Sequence, residues 1–197
     1  MRGFNHKKAI QALNYFSKKS SGGKINKMKA IKLIWLSDRL HLRQYGRTIT
    51  GDVYFALPFG PIPSTTRDIL EGNSLLSEDE LSYSNEYLSR TDKYDFGTLK
   101  DPDMSVFSQT DIDIIEKIIE KFGHLKPFEL SDLSHSFPEW KKYESALKQK
   151  IASRFEIDYN DFFENVSDGS GLFIDEAESL QLTKEIYTEN KDILSAF

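Results

Sequence analysis

The chain contains no cysteine, which excludes disulfides, zinc ribbons and thiol catalysis. It has no apolar run approaching the roughly 20 residues of a membrane-spanning helix, so insertion into a bilayer is not expected. Met1 to Lys8 is polar and basic with no apolar stretch behind it; no signal peptide is read there, and the cytoplasm is the expected compartment. A Gly-x-Ser-x-Gly elbow is missing, and Ser21-Gly22-Gly23-Lys24 lacks the flanking strand and spacing of a phosphate-cradling loop. Acid is almost absent from the first quarter, where residues 1–50 set 12 Lys and Arg against one carboxylate, Asp38. Base is almost absent from the end, where residues 156–197 set two Lys against 11 Asp and Glu. Such a split suits a charged partner surface, or two ends of one chain that face each other.

What is present is an ordinary soluble composition, 39% hydrophobic and 29% charged over 197 residues, enough for one domain with a sizeable core and an appendage. The organising stretch runs from Lys32 to Ser64. Between Met28 and Leu42 apolar residues form two opposed stripes at the helical period, Ile31, Ile34, Trp35 and Leu42 on one side and Leu33, Leu36 and Leu40 on the other. A helix apolar on two sides must be covered on two sides, so 28–42 is expected to be the central buried helix. Asp38 falls inside a stripe and needs a partner, which Arg39, Arg43, Arg47 or a following backbone N–H could supply. Gly46 and Gly51 bracket a turn, Val53–Leu57 alternates as a half-buried strand, and Gly60-Pro61-Ile62-Pro63-Ser64 reads as a rigid loop with Ser64 capping the next short helix.

Around this stretch, helices are expected over Asn5–Ser17, Thr65–Leu70, Thr110–Phe122, Phe128–Ser134, from Pro138, and over Asp175–Ser195. Asn26 is placed to cap the central helix, and Asp175 with Glu178 to form a capping box. The β-prone segment Leu75–Asp103 is expected to add one or two strands beside Val53–Leu57. The fold class is therefore α+β and mainly α-helical, with a small antiparallel β-sheet.

Several chemical readings compete. Asp38 with His41, and Asp132 with His135, each have i, i+3 spacing and together would offer four metal ligands; the bland reading is that Asp38 anchors its helix and His135 hydrogen-bonds inside the fold. The bland reading is preferred, and no metal, cofactor or catalytic set is expected. Lys7, Lys8, Lys18, Lys19, Lys24, Lys27, Lys29 and Lys32 could neutralise phosphates, yet the chain carries a net charge of −5 and shows no base-reading fold. A solvated lysine face partly neutralised by the acidic C-terminal segment is preferred, and nucleic acid is not expected as a partner. Trp35 and Trp140 lie on apolar stripes and read as core. Arg43, Tyr45, Arg47, Tyr54 and Phe59 flank turns and a loop and form a candidate contact patch, since Tyr and Arg are favoured at interface hot spots; the alternative is that Arg43 and Arg47 pair with Asp38 and Asp52.

Lys32-Leu33, Asp38-Arg39, His41-Leu42-Arg43, Tyr45-Gly46-Arg47, Ile49-Thr50-Gly51-Asp52, Ala56 and Gly60-Pro61-Ile62-Pro63-Ser64 resemble the signature of the Panacea (SocA-like) antitoxin domain. Phe122-Gly123, Pro127, Glu129-Leu130-Ser131, His135 and Trp140 resemble its second conserved block. The resemblance spans about Ala9 to Lys150 and suggests a domain at 1–150 followed by an acidic helical extension at 151–197, packed on or continuing it. It implies a non-enzymatic antitoxin that neutralises a toxin encoded beside it by direct binding, on a scaffold that the family pairs with unrelated toxins. Its signature residues here, structural or binding, are Asp38, Arg39, His41, Gly46, Asp52, Gly60, Pro61, Pro63, His135 and Trp140. Delivery of the toxin to a cellular protease, autoregulation through nucleic acid and metal-dependent catalysis stand as alternatives.

Overall fold

Fourteen consecutive residues of one helix, Ala30 to Arg43, are buried. A computed structural model, which describes residues 3–90 and 92–195, sets the other elements around that helix. Helix α1 (His6–Lys19) comes first, turning Ala9, Ile10, Leu13 and Phe16 inward. After a short turn and strand β1 (Lys24–Asn26), helix α2 (Lys27–Tyr45) begins. Asn26 caps it, its side-chain oxygen accepting from Met28 N at 3.1 Å and Lys29 N at 3.4 Å. Gly46 ends it in the left-handed region, φ 67°, where a residue without Cβ carries no steric cost. The expected helix is thus present and runs one residue further at its start and three at its end.

Strands β2 (Tyr54–Leu57) and β3 (Gly60–Pro63) form a tight antiparallel hairpin, with Leu57 opposite Gly60 and Tyr54 opposite Pro63. The stretch expected as a rigid loop is therefore a strand. It tolerates two prolines because β3 is an edge: Pro61 and Pro63, two residues apart, direct their ring nitrogens away from β2. The Pro61 carbonyl faces the same outer side, where the Lys32 ammonium donates to it at 2.9 Å. Helix α3 (Ser64–Glu71) follows, with Ser64 as its first residue rather than its cap.

The middle segment departs most from expectation. Helix α4 (Glu78–Tyr87) starts at a capping box in which Ser77 and Glu80 exchange hydrogen bonds, and three acids occupy its first turn. These local signals outweigh the β preference of its tyrosines. The two strands that follow, β4 (Leu88–Ser89) and β5 (Asp95–Thr98), do not join β2; β5 pairs with β1, Ile25 opposite Phe96. The third strand beside β2 is instead β6 (Phe155–Glu156), from the acidic C-terminal part. Between these lie α5 (Gln109–Phe122), α6 (Pro127–Ser134), α7 (Pro138–Lys141) and α8 (Glu144–Lys148), and α9 (Ala177–Ser195) closes the chain. Two three-stranded antiparallel sheets and a majority of helix make the fold α+β.

Helices α1, α5, α6 and α9 and the β3 edge all pack on α2. Phe162, Phe163, Phe173 and Tyr187 belong to the same buried cluster as Trp35, Leu36 and Tyr54. The lysine-rich first helix meets acids, but not those of the C-terminal segment: Lys8 pairs with Asp111, Lys18 with Asp101 and Lys19 with Glu116. Among the described residues no helix is long and apolar enough to cross a membrane.

Gly60 is the hairpin's sharpest requirement. Its φ is +98°, and a Cβ there would overlap Ser134 Oγ and the Lys32 ammonium. Gly60→Ala should cost at least about 2 kcal/mol of stability, read from the fluorescence of Trp35 and Trp140 in denaturant unfolding. An unchanged midpoint would contradict this close packing.

Candidate functional site

Helix α2 buries a lysine, an aspartate, two arginines and a histidine, and each must find a partner inside the protein. Asp38 accepts from the backbone N–H groups of Ile49 (2.8 Å) and Thr50 (3.0 Å) through Oδ1. Its Oδ2 accepts from the hydroxyls of Thr50 and of Tyr54, the latter at 2.8 Å. Burial pushes this carboxyl up, and the hydrogen bonds from Thr50, Tyr54 and Ile49 oppose the shift. Of the partners the sequence offered, the backbone N–H is the one used. Asp38 therefore fixes the Thr48–Gly51 turn against the helix, and the phenol of Tyr54, buried beside it, is pushed well above its ordinary value.

Asp52 does the same one step later. Its carboxylate accepts from Val53 N, Thr65 N and Thr66 N at 2.8, 2.9 and 2.7 Å, so it is the remote cap of α3, the role expected of Ser64. Tyr159, from the C-terminal part, donates its hydroxyl to the Asp52 carbonyl.

Two further carboxylates answer the cations. Glu139 Oε1 accepts from Arg39 Nε (3.0 Å) and Trp35 Nε1 (3.1 Å), and the Arg39 guanidinium lies against the rings of both Phe137 and Phe173, at 4.8 and 4.9 Å from their centres. Burial raises the Glu139 carboxyl, against the pull of Arg39. Asp111, wholly buried, accepts from Lys8 Nζ, from Arg47 Nη2 at 2.9 Å and from the Ser108 N–H at 2.9 Å, and lies 3.1 Å from His41 Nε2. Burial alone would raise it; His41, Lys8, Ser108 and Arg47 hold it far below the usual carboxylate range. Arg43 reaches into the C-terminal part, donating to Asp175 at 2.6 Å, Asn165 Oδ1 at 2.6 Å and the carbonyls of Phe162 and Glu164 at 2.9 Å each.

The remaining signature residues surround the hairpin. His135 stacks on Trp140 at 3.8 Å, and Trp140 Nε1 donates to the Leu57 carbonyl at 2.7 Å. Lys32, buried without a carboxylate partner among the described residues, is lowered well below its ordinary value by desolvation.

The five candidate contact residues do not form one patch. Arg43 and Tyr54 are buried and unavailable to a partner, because the segment 159–175 covers the former and Asp38 holds the latter. Arg43 and Arg47 pair with Asp175 and Asp111, not with Asp38 and Asp52. Tyr45 (39% exposed) and the Arg47 side chain (42%) remain at the surface at the end of α2. Phe59 is 59% exposed at the other end, next to Gly60 and Lys32; 13 helical residues, about 20 Å at 1.5 Å each, separate Lys32 from Tyr45. Its neighbour is Phe128, 64% exposed, ring to ring at 6.4 Å in an edge-on arrangement. Ser131 Oγ holds the hairpin tip by donating to the Phe59 carbonyl at 3.0 Å.

Asp111, Glu139 and Phe128 were not singled out from the sequence as site residues, and Asp175, expected as a helix cap, instead pairs with Arg43. Ser108-x-x-Asp111 is a legible capping box, and Phe128, just after the helix-opening Pro127, is an apolar residue in the first turn where solvent exposure is common; Glu139 carries no comparable local signal, and nothing local marks Asp175 as the partner of Arg43. The two Asp–His pairs are not brought together: Asp38 faces the turn, His41 faces Asp111 and His135 faces Trp140. Among the described residues no group of three or more His, Asp or Glu is arranged to hold a metal.

A family model described as antitoxin SocA-like, Panacea domain, matches residues 31–141. No curated protein and no solved structure gives a significant match.

Asp111→Asn should destabilise the fold by about 3 kcal/mol at neutral pH, because Lys8, Arg47 and His41 lose their shared charge. A carboxylate held low in the folded state stabilises most above its unfolded value, about 3.9, and less as pH falls toward its folded one. The stability gap between the wild type and this variant should therefore narrow below about pH 4. A gap constant from pH 7 to pH 3, measured by urea unfolding, would refute this charge assignment.

Proposed function

Since the chain belongs to the SocA-like, Panacea-domain antitoxin family, we propose that it neutralises one cognate toxin, encoded beside it, by direct protein–protein binding in the cytoplasm. The observation that carries this reading is the inward use of the signature. Asp38, Arg39, His41, Asp52, His135 and Trp140 all contact other parts of the same chain. Groups so engaged build a rigid body; they are not poised over a substrate. Recognition then falls to side chains that this body holds outward.

The Phe59–Phe128 pair is the strongest such feature within the family region. Two large rings, each more than half exposed, stand side by side, Phe128 on α6 and Phe59 at a hairpin tip that is fixed by Ser131 and followed by the glycine required at position 60. Pre-organised aromatic anchors lose little entropy on binding and are common hot spots. A toxin offering an apolar pocket would seat them and have its own working surface occluded. Charge plays the smaller part, since Lys18 and Lys19 already have acidic partners.

The function is tested by inducing each neighbouring reading frame alone and then together with this protein. Growth arrest relieved by co-expression, with a stable co-purifying pair, is the expected result; absence of toxicity from either neighbour would remove the reading. The surface is tested separately. Phe59→Asp with Phe128→Asp should weaken toxin affinity by at least about 100-fold while circular dichroism stays unchanged. Full affinity in the folded double variant would exclude this pair as the anchor.

A further inference from the structure

A cavity of about 540 Å³ opens along the turn from Gly46 to Gly51. Three separated parts of the chain build it: the start of α1 contributes Asn5 and Lys8, the turn contributes Arg47, and α9 contributes Asn190 and Lys191. Ser108, the cap of α5, completes the wall. In an acidic protein its lining is unusual. Among the described residues that line it, three are cations and none is Asp or Glu. Asp111, which Lys8 and Arg47 share, sits behind the wall with its side chain wholly buried and supplies one negative charge against their two. Asp158, which feels Lys191 through its charge, is not among the lining residues.

Backbone electrostatics add to this surplus. Asn5 and Ser108 are the caps of α1 and α5, so two helix N-termini reach one cavity, that of α5 already answered by Asp111 in its own first turn. The first turn of α1 holds no acid to offset its dipole, and helix starts favour anions. The Asn5, Asn190 and Ser108 side chains bring further polar groups. Its volume falls within the range of about 300–1,000 Å³ usual for small-molecule sites, larger than a single inorganic ion fills.

We propose that this cavity binds a small phosphate-bearing anion. Arg47 and Lys8 meet its charge from the body of the protein, and Lys191 and Asn190 meet it from α9, so the ligand bridges the last helix to the signature turn. Binding then holds α9 in place and couples the order of the C-terminal helix to the supply of the ligand. This site is about 20 Å along α2 from the Phe59 hairpin and does not depend on the toxin-binding reading.

The full-length protein is titrated calorimetrically with inorganic phosphate and with pyrophosphate, at ionic strength held constant with sodium chloride. One saturable site is expected for at least one probe: equal affinity for both points to free phosphate, and tighter pyrophosphate binding to a phosphate ester. Lys191→Gln, an exposed change that leaves the core intact, should weaken binding by about tenfold, the scale of one charge-assisted contact. Lys148→Gln, on α8 and outside the cavity, should leave it unchanged. Amide exchange in α9 should slow when the probe is bound. Absence of saturable binding by either probe, or equal loss in the two lysine variants, would overturn the proposal.

Discussion

A helix covered on every side cannot leave a charge unanswered. Helix α2 carries Lys32, Asp38, Arg39, His41 and Arg43 through fourteen buried positions, and an unpaired charge at any of them would cost several kcal/mol. Each partner comes from a different part of the chain: the hairpin for Lys32, the turn for Asp38, α7 for Arg39, α5 for His41 and the 162–175 segment for Arg43. The polar groups of one element thus dictate where five others must lie. Hydrophobic contact alone would let these elements slide over α2; hydrogen-bonded charges set their register, because a shift of one residue would strand a donor or acceptor.

The same constraint separates what the sequence reveals from what it hides. Features determined within a few residues are legible: the two-sided apolar stripe of α2, its Asn26 cap, the glycine stop at 46 and the alternation of β2. Features determined by a distant partner are not. Arg43 and Tyr54 lie beside turns and so look exposed, yet one is covered by a segment more than a hundred residues later and the other is drawn inward by Asp38. Asp52 caps a helix that starts twelve residues on, through a turn whose geometry no local pattern announces. The middle segment shows the reverse case, where tyrosines suggest strand while a Ser77–Glu80 capping box, equally visible, predicts the helix that forms.

The two ends of α2 serve different surfaces. At its first half the turn between β2 and β3 presents Phe59 and α6 presents Phe128, apolar and fixed. At its end the turn from Gly46 to Gly51 presents Arg47 beside a cation-lined hollow. A single rigid helix therefore carries an exposed aromatic pair and a cation-lined hollow at a set separation. Family membership accounts for the shared frame, and the exposed aromatic pair lies where a substitution disturbs that frame least.

The Arg43 contacts also bear on how the molecule is made. The arginine and Asp175 are 132 residues apart, and synthesis at about 5–20 residues per second leaves roughly 7 to 26 seconds between them. During that interval the nascent chain holds a central helix whose guanidinium lacks its final partners. The packing around α2 cannot be completed until the 162–175 segment has also been made. The buried frame around α2 therefore closes only after the 162–175 segment has emerged, a lag set by the rate of translation.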